Sequence, residues 1–157
     1  MFCTIHPSPL GKLTLTSDGE ALTGLWMDTQ NLPKAEYIRR DDLPVFQQAK
    51  KWLDAYFLGN APAPDTLPLS PAGTAFQQQV WQILLTIPYG ETTTYGAIAK
   101  MLSPTMSAQA VGGAVGRNPI GIIIPCHRVV GANGGLTGYA GGLDNKQWLL
   151  CHEEETK

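Results

Sequence analysis

The first thirty residues alternate between apolar and polar positions. Leu13 and Leu15 are interleaved with Thr14 and Thr16, and β-favouring runs recur at Phe2-Cys3-Thr4-Ile5, Lys12–Thr16 and Leu22-Thr23-Gly24-Leu25-Trp26. A period of two predicts strands with one face turned inward. Pro7-Ser8-Pro9 with Gly11, and Ser17-Asp18-Gly19, supply the turns, so the strands read as an antiparallel set. The period then changes. Across 43–58, Phe46, Ala49, Trp52, Leu53, Tyr56 and Phe57 recur at three and four, which predicts a helix with one apolar stripe. Asp42 is its candidate cap and Gly59 its stop. Residues 1–58 thus read as a small α+β unit without visible chemistry.

Pro62, Pro64, Pro68 and Pro71 follow, predicting a stiff, extended connector over 60–73. That places a boundary between an N-terminal unit, 1–71, and a C-terminal domain, 72–157. Thr74 can cap a helix carrying Phe76, Val80, Trp81, Leu84 and Leu85, ended by Pro88 and Gly90. Thr94 caps a second helix over 95–102, and Ser107 a third through about Val115. Two short helices across a tight turn form a helix-turn-helix pattern. The third helix contains Gly112 and Gly113, each costing about 1 kcal/mol relative to alanine. Two reasons are open: close approach to a nucleic-acid backbone, or tight packing against another helix. A last helix is predicted over 144–153, burying Trp148, Leu149 and Leu150.

Between these helices lies Ile122-Ile123-Ile124-Pro125-Cys126-His127-Arg128-Val129-Val130. The apolar run reads as a buried strand that Pro125 ends, delivering Cys126 to a turn. A neighbouring His or Arg lowers a thiol pKa, which suits a nucleophile. A buried structural cysteine is the alternative. The glycine-dense loop 131–142, with Tyr139 in it, reads as a pocket wall. It contains neither GxGxxG nor a Walker pattern, so it is not read as a nucleotide cradle.

Charge changes the picture locally. The net charge of −2 does not by itself suggest a nucleic-acid binder, yet between Glu91 and Asp144 the only charged side chains are Lys100, Arg117 and Arg128. An anionic partner would meet that segment. Three cysteines, Cys3, Cys126 and Cys151, make no disulfide framework and suggest a reduced, cytoplasmic protein. No run of about 18 apolar residues is present, so no membrane partner is expected. Cys3 and His6 lack a second pair of ligands, and neither metal nor cofactor is expected.

Pro125-Cys126-His127-Arg128-Val129 resembles the active-site signature of the O6-alkylguanine-DNA alkyltransferases. Tyr95, Ala110-Val111-Gly112-Gly113, Asn118-Pro119, Tyr139 before Gly141-Gly142, and Trp148-Leu149-Leu150 before His152-Glu153 accompany it in matching order and spacing. The resemblance implies an α+β fold: a small N-terminal antiparallel-sheet, RNase H-like unit, then a mainly helical domain with the helix-turn-helix and the reactive cysteine. It implies single-turnover DNA repair, in which Cys126 takes the alkyl group from O6-alkylguanine, or O4-alkylthymine, in DNA. His127 would act as base through a water, Glu153 would orient His127, and Tyr95 would donate to the departing base. Substrate contacts would come from Asn118, Val115, Val129, Tyr139 and Ala140. DNA contacts would come from Thr94, Tyr95, Gln109, Ala110, Gly112, Gly113, Arg117 and Arg128. The partner would be double-stranded DNA, bound by a monomer through the minor groove with little sequence preference and with the lesion flipped out.

Two positions depart from that pattern. Gln109 stands where most relatives have arginine, and Ala140 where many have serine. A non-reacting branch with tryptophan at the cysteine position is excluded by Cys126 itself. The competing readings are a lesion-binding module without transfer and a Cys-His thiol hydrolase.

Overall fold

The computed structural model describes residues 1–157 and resolves them into two compact units. The first comprises Met1–Ala72 and Pro119–Ile123. Its sheet contains β1 (Phe2–Ser8), β2 (Gly11–Ser17), β3 (Leu22–Met27) and β4 (Ile38–Arg39) in the order β3-β2-β1-β4. The three alternating segments form the antiparallel meander that their turns dictate. The fourth strand is unpredicted: two residues long, it runs parallel to β1, with Phe2 opposite Ile38, so the sheet is mixed. A pair of residues is too short to carry a period.

Leu13 and Leu15 are fully buried, as the alternation requires. Thr16 is also buried, its hydroxyl hydrogen-bonded to that of Thr23 at 2.9 Å. The helix α1 (Pro44–Phe57) buries Phe46, Ala49, Trp52, Leu53 and Tyr56 on one face. Each such burial stabilises by about 1.5–3 kcal/mol for the larger side chains. Asp42 is not its cap. Leu43 occupies that position without a side-chain cap, and Pro44, needing no hydrogen-bond acceptor, starts the helix; Asp42 instead takes Arg40. Gly59, at φ 87°, ends it in the left-handed region glycine tolerates.

The proline-rich stretch is more than a connector. Pro64–Thr66 is a 3-10 turn, Leu67 is buried, and Leu69 bridges to Leu22, with the Leu22 N–H donating to Pro68 and the Ser70 N–H to Leu22. Residues 119–123 also return to this unit, where the Leu25 N–H donates to the Pro119 carbonyl. Here the predicted strand fails. Residues 121–124 are turns, the Ile123 N–H reaches back to Gly121, and Ile122 sits at φ 68°. For a β-branched residue that conformation costs of order 1–3 kcal/mol and persists because all of Ile122 is buried. An apolar run cannot distinguish a strand from a buried turn.

The second unit comprises Gly73–Asn118 and Ile124–Lys157. It contains α2 (Ala75–Leu84), β5 (Thr93–Thr94), α3 (Tyr95–Leu102), α4 (Ala108–Gly116), β6 (Val129–Val130) and α5 (Leu143–Thr156). Thr74 makes a full capping box with Gln77, while Thr94 and Ser107 accept from the Ala97 and Ala110 N–H groups. Each cap is worth about 1 kcal/mol. The Trp81 indole donates to the Ala114 carbonyl at 2.9 Å, tying α2 to α4. The last helix is longer than predicted and differs on its inner face. Lys146, Leu149 and Glu153 are buried there, whereas Trp148 and Leu150 are half-buried. No helix is long and apolar enough to cross a membrane.

Candidate active site

Cys126 opens a 3-10 turn, Cys126–Arg128, rather than closing a strand. The turn follows from Pro125: the Cys126 N–H bonds back to Ile124 and the Arg128 N–H to Pro125. After it, β6 pairs in parallel with β5, setting Thr93 opposite Val129 and Thr94 opposite Val130. That ladder fixes the cysteine turn beside the start of α3, where Tyr95 stands. Asn118 fixes its other side, donating to the Ile124 carbonyl at 2.8 Å.

The turn carries three buried polar side chains, and α5 satisfies two of them. Glu153 is 1% exposed; its Oε2 lies 2.5 Å from His127 Nε2 and its Oε1 accepts from Arg128 Nε at 2.8 Å. Arg128 also donates to the Ile87 carbonyl at 2.7 Å and lies over the Tyr89 ring. One carboxylate already neutralised by a guanidinium does not favour a second cation in a dry site. Burial accordingly holds His127 below its ordinary pKa, against the opposing pull of Glu153. Burial alone would raise the Glu153 pKa, but hydrogen bonds and charge from His127 and Arg128 reverse it and keep the carboxyl ionised. The neutral imidazole that fits donates from Nε2 to Glu153. Its Nδ1, buried and without a protein partner, then carries a lone pair.

The thiol does not behave as its neighbours in sequence suggest. Burial pushes the Cys126 pKa up, and Asn118, the Lys146 charge and Tyr139 only partly offset this. The resting group is therefore a thiol, not a thiolate. The expectation of a lowered pKa fails because Arg128 and His127 both turn toward Glu153.

Arg128, expected as a DNA contact, points inward instead. It is 7% exposed and fully engaged as an internal strut. Val115 is buried within α4, and the Val129 N–H is spent on the Cys126 carbonyl. Thr94 uses its hydroxyl oxygen as a helix cap. Gln109, Ala110, Gly113 and Arg117 are exposed on α4 or at its end, and Lys100 is exposed on α3. Cβ atoms built on Gly113 and Gly116 would meet nothing within 4 Å, and one on Gly112 would reach only ordinary contact with the Tyr95 ring. Intrachain packing therefore does not require these glycines. They leave a helix face without side-chain bulk.

A cavity of about 520 Å³ adjoins that face, lined among others by Tyr95, Gln109, Gly112, Thr137, Tyr139 and Ala140. Cys126 does not line it; the buried Tyr139 hydroxyl, within electrostatic reach of the thiol and without a well-formed hydrogen bond, joins the two. A second cavity, about 420 Å³, is lined by Glu91, Glu154 and Glu155, which would repel a phosphate backbone. In the other unit His6 Nε2 lies 2.7 Å from Asp54 Oδ1, a hydrogen-bonding contact.

Sequence reasoning missed Lys146 and Thr137. Lys146 is wholly buried and its Nζ donates to the Thr137 carbonyl at 3.1 Å. A signal existed: positions 146, 149 and 153 fall on one helical face, so a buried Leu149 implies a buried lysine.

Residues 75–155 match the family model described as 6-O-methylguanine DNA methyltransferase, DNA binding domain, and residues 1–71 match its ribonuclease-like domain. A methylated-DNA–protein-cysteine methyltransferase of Haemophilus influenzae is 46% identical over 155 residues, 98% of this chain and 87% of that protein. One from Mycobacterium leprae is 47% identical over 148 residues, 94% of this chain and 89% of the relative. Among solved structures, Mycobacterium tuberculosis OGT in complex with DNA superposes with a TM-score of 0.90 at 44% identity, covering 99% of this chain and 94% of that one.

Proposed function

This chain belongs to the 6-O-methylguanine DNA methyltransferase family, and from that premise we propose a residue-level course for its reaction. Its activity is DNA repair by alkyl transfer to a protein cysteine. The acceptor is Cys126. The lesion, O6-alkylguanine or O4-alkylthymine, leaves the stack and enters the cavity beside α4. Cys126 Sγ forms a bond to the alkyl carbon as the carbon–O6 bond breaks and its electron pair returns to the base. The thiol proton passes, through a water, to His127 Nδ1. Tyr95 donates a hydrogen bond to the departing base as negative charge collects on it; the base then takes a proton from water, and His127 returns the thiol proton to solvent. The thioether is stable, so each molecule acts once.

The observation that carries this reading is the Glu153–His127 pair at 2.5 Å, which leaves the neutral imidazole's Nδ1 without a protein partner, one residue along the chain from a cysteine whose pKa burial raises. A protonated thiol needs a base; the assembly supplies one by the nucleophile–base–orienter logic of hydrolytic triads. The bare face of α4 suits the minor groove of duplex DNA with little sequence preference. We take the protein to act as a cytoplasmic monomer. Mass spectrometry after mixing with methylated oligonucleotide tests the reaction. One methyl in place of one proton is expected on each protein molecule. DNA affinity without added mass would mean a binding module, and demethylated product without added mass a turnover enzyme.

Gln109 yields a separate expectation. It is exposed on the first turn of α4 and lines the cavity, where an inserted side chain would fill the gap left by the flipped base. An amide stacks less well than a guanidinium and attracts no phosphate. Gln109→Arg should tighten binding to lesion-containing duplex and steepen its log–log salt dependence by about one phosphate contact. The gain should shrink on single strands, which have no vacated stack. Equal slopes for the two proteins on duplex would remove Gln109 from that role.

A further inference from the structure

Thr137 lies in the glycine-dense loop and is held from two directions. Its hydroxyl donates to the Tyr95 hydroxyl at 2.8 Å. Its carbonyl accepts from the wholly buried Lys146 Nζ at 3.1 Å. Its methyl also packs close to Gly131, where an added Cβ would lie 3.3 Å away. The loop's own turn is closed by the Gly134 N–H to the Gly131 carbonyl and the Gly131 N–H to the Gly135 carbonyl, while Gly134, Gly135 and Gly138 bring no side chains to the cavity. A threonine held at its backbone by a buried lysine presents its hydroxyl in a set direction. That direction is toward Tyr95, across a cavity that both residues line.

We propose that Thr137 is a positioning residue for alkyl transfer, whose hydroxyl, held in place by Lys146, orients and polarises the Tyr95 hydroxyl. The inference rests on the reading that Tyr95 donates to the departing base. A phenol can accept one hydrogen bond and donate another. With Thr137 occupying the acceptor side, the Tyr95 proton is directed elsewhere, into the cavity. Accepting a bond also makes a hydroxyl a better donor, because chained hydrogen bonds polarise one another. The effect is greatest in the transition state, when negative charge accumulates on the base. Thr137 touches neither the base nor the sulfur in this scheme and acts only through Tyr95.

The test is a double-mutant cycle on the full chain with methylated duplex, reading the single-turnover transfer rate and the DNA affinity separately. Thr137→Val keeps shape and the methyl contact but removes the donor. It should slow transfer roughly fivefold to tenfold, the worth of one hydrogen bond, with DNA affinity and melting temperature unchanged. Thr137→Ser should recover most of that rate. In a Tyr95→Phe background Thr137→Val should add nothing. Wild-type transfer by Thr137→Val overturns the proposal, as does a full additional loss in the Tyr95→Phe background, which would mean the threonine acts on the loop alone. Wild-type transfer by Tyr95→Phe would instead overturn the reading of Tyr95, and this inference with it.

Discussion

Cys126→Ala is expected to abolish alkyl transfer and to leave DNA binding intact. In the proposed reaction the sulfur is the atom that forms the new bond, so no neighbour could substitute for it and the expected loss is total, not graded. The features proposed to face DNA do not involve it: Gln109, Ala110 and Gly113 are exposed on α4, while Cys126 is buried and outside the cavity lining. Removing one sulfur leaves a small hole, costing stability on the order of 1 kcal/mol. The other two thiols lack the chemistry. Cys151 is exposed and accepts from the Gln147 amide, and Cys3 lies in β1. Single-turnover transfer from a methylated oligonucleotide, run beside an affinity measurement on the same DNA, reads both halves. Recovery of the methyl group on a peptide containing Cys3 or Cys151 would sink the assignment.

Glu153→Ala is expected to have the second largest effect, on stability as well as on rate. Glu153 is the shared partner of His127 and Arg128, and all three are buried. Deleting it strands a guanidinium and an imidazole N–H away from water. Breaking a buried ion pair from one side costs about 3–5 kcal/mol. For a protein of this size that lowers the melting temperature by on the order of 10 °C. Transfer should fall further than stability explains, because the imidazole loses what fixes its tautomer. The pH dependence follows with a definite sign. Net stabilisation by His127 and Arg128 depresses the Glu153 pKa in the folded state, so the unfolded chain binds its proton first. Its stabilisation is present above the unfolded carboxylate pKa of about 4.3 and is lost as pH falls below that value. The lowered His127 pKa acts in the same direction, beginning near its unfolded value of about 6.5. Melting temperature should therefore decline on acidification from about pH 6.5, and less so in Glu153→Gln than in the parent. Parallel acid profiles for the two proteins would separate Glu153 from acid stability.

The alternatives to transfer are weakened by family membership and by the site itself. A non-reacting module has no use for a buried carboxylate that orders a histidine next to a cysteine. A thiol hydrolase would need its acyl-enzyme released by water. The thioether that the proposed transfer would form has no such route.

Much of the architecture was written in periodicity. Leu13 and Leu15 alternate, and Phe46, Ala49, Trp52 and Leu53 recur at helical spacing, so each segment could adopt only one regular structure that buries them. Thr74, Thr94 and Ser107 mark helix starts because their hydroxyls bond nearby N–H groups, a contact local in sequence. The family was legible for a different reason: Cys126 sits in a run of residue types whose order matches it. Long-range pairing decided the rest. Ile122–Ile124 became a buried turn because residues 119–123 return to the first unit, which no window of neighbours encodes. Arg128 reads as a surface cation in sequence and is an internal strut in space, since its partner lies 25 residues away on α5. The thiol's raised pKa has the same origin: adjacency along the chain promised two cations, and the fold turned both toward Glu153. Lys146 showed in sequence only through its spacing from Leu149 and Glu153, and Thr137 not at all, because a loop threonine acquires meaning only from what the tertiary fold sets against it.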